Sequence, residues 1–208
     1  AGDRLGALHA AMLVCRRCRE APLQAPLPHE PRPIFRMSAT ARLVIASQAP
    51  GIRAHLSGIP FKDPSGVRLR AWLGLDEAEF YDASRLMILP MGFCFPGHDA
   101  QGGDLPPRGE CRRAWHDRLF GALPQVETVL AIGLPSLRYH AARLAPDLLP
   151  VRRLTEAVED WRRYFERPAP RLLPLPHPSW RNSGWLKRHP WFEAELLPVL
   201  RREVGRLM

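Results

Sequence analysis

Four short apolar runs, at Leu43–Ala46, 86–89, Thr128–Ile132 and 172–175, constrain the fold of this chain more than any other feature. None alternates apolar with polar residues. Each therefore reads as a strand buried on both faces, the pattern of a parallel sheet covered by helices front and back. Helical patterns lie between them at about 66–74, 110–121, 135–145 and 154–166, with a last amphipathic one at about 189–207. Strands alternating with helices predict an α/β fold of three layers, α/β/α, around a central four-stranded, mostly parallel sheet. The 208 residues read as one domain. Its first forty hold a helical stretch at 7–19 that carries a cysteine pair, then a Pro-rich extended connector.

In an open α/β sheet, ligands bind at the carboxyl edge of the strands. Two loops are expected to meet there. One follows the first strand as Ser47-Gln48-Ala49-Pro50-Gly51 and, after a short linker, reaches Pro60-Phe61-Lys62-Asp63-Pro64-Ser65-Gly66. Phe61 is its single aromatic, fit to line a pocket for something flat. The other follows the fourth strand as His177-Pro178-Ser179-Trp180-Arg181-Asn182-Ser183-Gly184-Trp185. A loop histidine at that edge can donate to a substrate carbonyl or steady a developing anion. Trp180, Arg181, Asn182 and Trp185 combine groups that stack on bases with groups that grip phosphate.

Thirty Lys and Arg against twenty-one Asp and Glu give a net charge of +9, and only Lys62 and Lys187 are lysines. The excess fits a polyanionic partner, and equally a coding bias toward arginine. No apolar run is long enough to span a membrane, and no secretory leader pattern precedes the first helix, so the expected location is the cytoplasm. Four cysteines pair as Cys15-x2-Cys18 and Cys94-x16-Cys111, leaving no thiol over. That is the arithmetic of a four-thiolate metal site. By spacing alone it serves zinc or an iron–sulfur cluster. Arg108, Arg112 and Arg113 read as phosphate contacts or as a solvated face. Gly102-Gly103-Asp104 reads as a loop turn, and His98 and His116 as surface groups.

The sequence SQAPG from Ser47, PFxDxSG from Pro60 and HPSW from His177 resembles the motifs of the uracil-DNA glycosylase superfamily, and most closely its branch with a four-cysteine iron–sulfur cluster. The likeness runs from about Cys15 onward. It implies a base-excision enzyme that acts as a monomer on uracil-containing DNA, with a 4Fe-4S cluster on Cys15, Cys18, Cys94 and Cys111. By the same resemblance Ser47, Gln48, Ala49, Pro50 and Gly51 lie under the scissile sugar and base. Phe61 would stack on the extruded base, His177 would steady the leaving anion, and Ser179 would contact phosphate. Trp180 to Trp185 would wedge into the duplex.

Three departures from the pattern stand out. The most active members carry Asp where this chain has Ala49. The iron–sulfur branch offers Glu where it has Gln48. Many members read the base edge with an Asn where it has Pro90-Met91-Gly92. Asp63 is the expected substitute for positioning water, with Gln48 as the other candidate; its competing role is to cap the helix that follows. The departures keep two other activities open: excision of hypoxanthine or xanthine, and binding of uracil or abasic DNA with little turnover. A zinc-ribbon nucleic-acid binder is the remaining alternative.

Overall fold

The computed structural model describes residues 2–148 and 150–208. The four apolar runs form one sheet of β1 (Leu43–Ala46), β2 (Leu86–Ile88), β3 (Thr128–Ile132) and β4 (Arg171–Leu175). The strand order is β2-β1-β3-β4 and every pairing is parallel. Side chains alternate between two apolar layers, as strand geometry requires. Val44, Ala46, Met87, Val129, Ala131 and Leu172 face one core. Leu43, Ile45, Leu86, Ile88, Leu130, Ile132, Leu173 and Leu175 face the other. Burial on both faces explains why the strands read as unbroken apolar runs.

The first core is closed by Leu5, Leu8 and Met12, by Trp115, Leu119 and Phe120, and by Leu137 and Ala141. The second is closed by Leu69, Trp72 and Leu73, by Val158 and Trp161, and by the stripe Phe192, Leu196, Leu200, Val204 and Leu207. Each such side chain, fully buried, stabilises the fold by about 1.5–3 kcal/mol. The outer edge of β2 is covered by the chain at Arg36, which exchanges two backbone hydrogen bonds with Ile88 (2.8 and 2.9 Å).

Charges close the amino-terminal end of the sheet. Buried Glu203 accepts from Thr128 Oγ1 and from Arg206 (2.9 and 3.0 Å), while Arg42 and Arg206 each hold Glu127 at 2.8 Å. A buried carboxylate is tolerated only when so paired. The opposite, carboxyl edge carries the motif loops.

Several expected boundaries shift. The first helix, Gly2–Leu13, stops before the cysteine pair, and a short helix, Arg17–Glu20, follows, so Cys15 and Cys18 do not share one helix. Cys18 lies six residues beyond Met12, roughly 120° round a straight helix from it. With the break, both are buried. The 154–166 pattern is two helices, Leu154–Glu159 and Trp161–Phe165. The last helix begins with a π-helical turn, Phe192–Leu196, and continues as Leu197–Leu207. The linker after β1 contains a helix, Ile52–Ser57, closed by Gly58 at φ 74°. Glu77–Tyr81 is a further short helix, begun by a reciprocal Asp76–Glu79 capping box. No described helix is long and apolar enough to cross a membrane.

Candidate active site

At the carboxyl edge the connections from β1 and β3 leave in opposite directions, which opens a crevice between those strands. A cleft of about 720 Å³ lies there. It gathers Ser47, Gln48, Ala49, Pro50 and Gly51 with Phe61 and Asp63, and with His177, Ser179, Trp180, Arg181 and Asn182. Of the site residues expected from the sequence, the metal ligands aside, only Trp185 stays away. Its indole N–H donates to Thr155 Oγ1 at 3.0 Å and its ring stacks on His189 at 4.3 Å. Trp185 sits on the helix Ser183–Arg188 and packs against Trp191 and Phe192 at the margin of the second core.

The floor of the cleft is the turn after β1. Ser47 and Gln48 continue past β1 beside the β2 end, their carbonyls accepting from Met91 N (2.9 Å) and Gly92 N (2.8 Å). Ser136 Oγ donates to Ala46 O at 2.6 Å and closes the strand from the other side. The Gln48 amide lies against Gly133, which has φ 82°; a Cβ on that glycine would stand 2.6 Å from Gln48 Nε2. The carboxamide is thus lodged in the crevice between β1 and β3.

Phe61 is held in an unusual backbone state, φ 57°, the only non-glycine residue with positive φ among those described. Such a conformation is costly for a bulky residue and persists only when the surroundings impose it. Two contacts do so. Tyr81 OH donates to Pro60 O at 2.8 Å, and the carbonyl of Phe61 fits against Gly66, where a Cβ would lie 1.9 Å from that oxygen. The ring meets Phe80 edge-on at 6.1 Å, which leaves it half-buried and bordering the cleft. Asp63 caps the helix Pro64–Leu73, its Oδ1 accepting from Gly66 N at 2.9 Å.

The wall opposite is the loop after β4. Asn182 Nδ2 donates to His177 O at 2.7 Å, so this amide shapes the loop from within. Arg68 reaches across from the helix Pro64–Leu73, donating to Ser179 O (2.8 Å) and Ser183 Oγ (3.1 Å). Arg68 is a positioning residue that no motif had marked. Burial pushes the His177 imidazole below the usual histidine pKa, against the pull of Asp63 and Asp104, and so favours its neutral form. Trp180 is 73% exposed, and Arg181 lies over its ring at 5.9 Å. Trp180 thus stands at the rim of the cleft, open to solvent.

The end of β2 presents Pro90 to the cleft. Its carbonyl faces His116 Nε2 at 3.1 Å. His116 is fully buried, stacked on Phe93 at 5.4 Å, and burial lowers its pKa to about 4. The surface role expected for it is therefore corrected. Its helical register with Leu119 and Phe120, three and four residues on, is the signal that places it inside. Asp104, expected as part of a plain turn, also lines the cleft. The turn is real, but its carboxylate reaches back toward Gly51.

The four cysteines form no disulfide, and Cys18, Cys94 and Cys111 are buried. The Cys18 and Cys111 thiols share a hydrogen bond, which helps lower the Cys18 pKa to about 7, while burial raises that of Cys94 to about 12. Trp115 Nε1 donates to Cys15 Sγ at 3.3 Å and Phe93 N to Cys111 Sγ at 3.5 Å. Free thiols in an apolar core, with N–H groups aimed at two of the sulfurs, fit the donor chemistry of a thiolate-bound metal group. Among the described residues no three His, Cys, Asp or Glu side chains close around a single ion. Any such group is therefore assigned by donor chemistry alone. Arg108, one of the expected phosphate contacts, is instead turned inward to Glu110 (2.6 Å) and Ala25 O (2.9 Å). Arg112 and Arg113 remain exposed.

Residues 35–201, well over half of the chain and including both motif loops, match the model of a protein family described as the uracil DNA glycosylase superfamily.

Proposed function

Because the chain belongs to the uracil DNA glycosylase superfamily, we propose that it hydrolyses the N-glycosidic bond of uracil in DNA, the first step of base-excision repair. One observation carries the reading: a single cleft brings Phe61, the Ser47–Gly51 turn and His177 together. These residues stand on three separate loops.

A base inside a duplex has to leave the stack before its glycosidic bond can be cut, at a cost of a few kcal/mol. Exposed Trp180, with Arg181 and Ser179 beside it, offsets that cost by filling the gap and holding the backbone. The extruded ring lies on Phe61. As the bond breaks, the sugar gains oxocarbenium character and the base gains negative charge, so a donor aimed at the base oxygen stabilises the transition state most. Neutral His177, kept uncharged by burial, supplies that donor, and the backbone of Gln48–Gly51 shapes the floor. Cys15, Cys18, Cys94 and Cys111 would hold a 4Fe-4S cluster, or zinc if the site is a single-ion one. Its role would be structural, with the four cysteines joining the N-terminal helices to the segment after β2.

The test is an oligonucleotide assay with uracil opposite A, opposite G and unpaired, run beside hypoxanthine and xanthine substrates. Release of uracil, with most activity lost in Phe61→Ala and His177→Ala, is the expected outcome. Full activity in both variants would sink the site assignment. Pro90 favours a second reading, excision of deaminated purines, because it offers the base edge no side-chain hydrogen bond. Preferential release of hypoxanthine or xanthine would select it. A retained protein–DNA band without an alkali-labile break would select a binding protein instead.

A further inference from the structure

The cleft has a donor for the leaving base, but of the two residues expected to handle water one is an amide and the other already caps a helix through one oxygen. Ala49 has no polar group. The Gln48 carboxamide is lodged against Gly133, and an amide is no base. Asp63 Oδ1 caps the helix Pro64–Leu73. Among the residues lining the cleft, only Asp63 and Asp104 carry carboxylates.

Asp104 is held differently. Its Oδ1 faces His98 Nε2 at 3.2 Å. Its Oδ2 lies 3.2 Å from the point where a Cβ on Gly51 would be, so it borders the last residue of the turn that forms the cleft floor. One oxygen is oriented and the other looks onto the floor. The loop that presents it is closed by its own hydrogen bonds. His98 and Asp104 pair as an antiparallel bridge, Leu105 N donates to Gly97 O at 2.9 Å, and Asp99 N donates to Gly103 O at 2.8 Å. Asp99 Oδ1 accepts from Gln101 N (2.9 Å) and Gly103 N (2.8 Å), and Gly102 takes the turn at φ 76°. The His98 ring is steadied edge-on by Phe95 at 4.9 Å. Gly51 also matters here, because any larger residue would push against the carboxylate.

We infer that Asp104 is the catalytic carboxylate that positions and deprotonates the attacking water, with His98 as its positioning residue. The inference rests on the hydrolytic reading of this cleft and names the group that reading lacks. The water oxygen bonds to C1′ of the sugar as the C1′–N1 bond breaks. The bonding pair leaves on the base, whose anion His177 steadies, and the water proton passes to Asp104. That proton then returns to solvent or to the departing base, leaving free uracil and an abasic sugar. The negative charge of Asp104 also favours the oxocarbenium sugar.

The experiment compares single-turnover uracil release and binding of the same unpaired uracil oligonucleotide across variants. Asp104→Asn is expected to release uracil about 100-fold or more slowly, the usual contribution of a general base. Its binding should stay within about threefold of the parent and its melting temperature unchanged, as the side chain is exposed. His98→Ala should slow release about tenfold, because Asp104 Oδ1 loses the imidazole 3.2 Å away that orients it. His98→Gln, which keeps a donor, should recover most of that rate. A merely structural histidine would show no such rescue. An active parent with Asp104→Asn within threefold of it overturns the assignment of Asp104 and leaves the glycosylase reading intact. Equal losses of rate and binding overturn the chemical role in favour of DNA contact. A parent that releases no base overturns the hydrolytic reading and this inference together.

Discussion

Gly66→Ala isolates the link between backbone shape and the stacking wall of the cleft. The added methyl would lie 1.9 Å from the Phe61 carbonyl oxygen, 2.8 Å from its carbonyl carbon and 2.9 Å from its Cβ. The first obstacle is backbone, so no side-chain rotation relieves it. A carbon and an oxygen need more than about 3 Å, so Phe61 or the first turn of the helix Pro64–Leu73 has to move by over an ångström. Overpacking of this kind costs about 1–3 kcal/mol. In a chain of this size that corresponds to a fall of roughly 2–12 °C in melting temperature, at about 2–4 °C per kcal/mol. The effect on rate should be larger than the effect on stability. Moving a positioning group by about 1 Å can cost roughly 100-fold in rate. The assay is uracil release at a temperature where melting curves show the variant fully folded. A folded Gly66→Ala protein within threefold of the parent rate would refute the claim that the positive-φ state of Phe61 sets the base wall. Phe61→Gly, which removes the ring and tolerates the backbone state, should lose activity while keeping stability.

Three other outcomes follow from the same geometry. Arg68→Ala removes two hydrogen bonds that tie the 177–183 loop to the helix Pro64–Leu73; uracil release should fall about tenfold, by the loss of charged hydrogen bonds, with Arg68→Lys recovering part of it. Protein purified without oxygen should be brown and contain iron and acid-labile sulfide, and Cys18→Ala should lose both and melt earlier, whereas colourless protein carrying zinc would reverse the cluster assignment. His140 is fully buried beside Arg143 and His116, and burial holds its pKa well below the ordinary 6.5. The unfolded chain therefore takes up a proton near pH 6.5 that the folded protein refuses, so the His140 contribution to stability is complete above that pH and is lost as pH falls below it. Urea midpoints at pH 7.5 and 5.5 should differ less in His140→Leu than in the parent.

The sheet was legible because its strands are buried on both faces, which leaves a signature independent of loop detail. Leu43–Ala46 and Thr128–Ile132 needed no change. Short helices were less legible. Ile52–Ser57 has one buried residue, Ala54, and so little periodicity to read. Glu77–Tyr81 did carry a capping-box signal in Asp76 and Glu79, and a reading by caps rather than periodicity would have found it. Most of the candidate site followed from motifs, since each loop carries its residues in consecutive order. Asp104 did not, because its role depends on a hairpin that folds it back onto a turn more than fifty residues earlier. By its chemistry Trp185 reads as a tip residue, whereas its helix turns it toward His189 and Phe192. Arg68 was invisible for a similar reason: what it holds is backbone of a distant loop.

Cys94 and Cys111 are both buried in the same core layer, and the segment between them leaves that layer, carries Asp104 to the cleft with His98 beside it, and returns. It behaves as a tethered arm fixed at two shoulders. An arm of that kind keeps its tip in place only while both shoulders are seated, since loosening either end restores the freedom that closing the loop removed. Loss of a shoulder cysteine, or of the metal group it is proposed to hold, would therefore be felt first at the tip. A chemical insult that never reaches the cleft could silence catalysis while leaving the base-stacking wall, and with it the grip on DNA, in place.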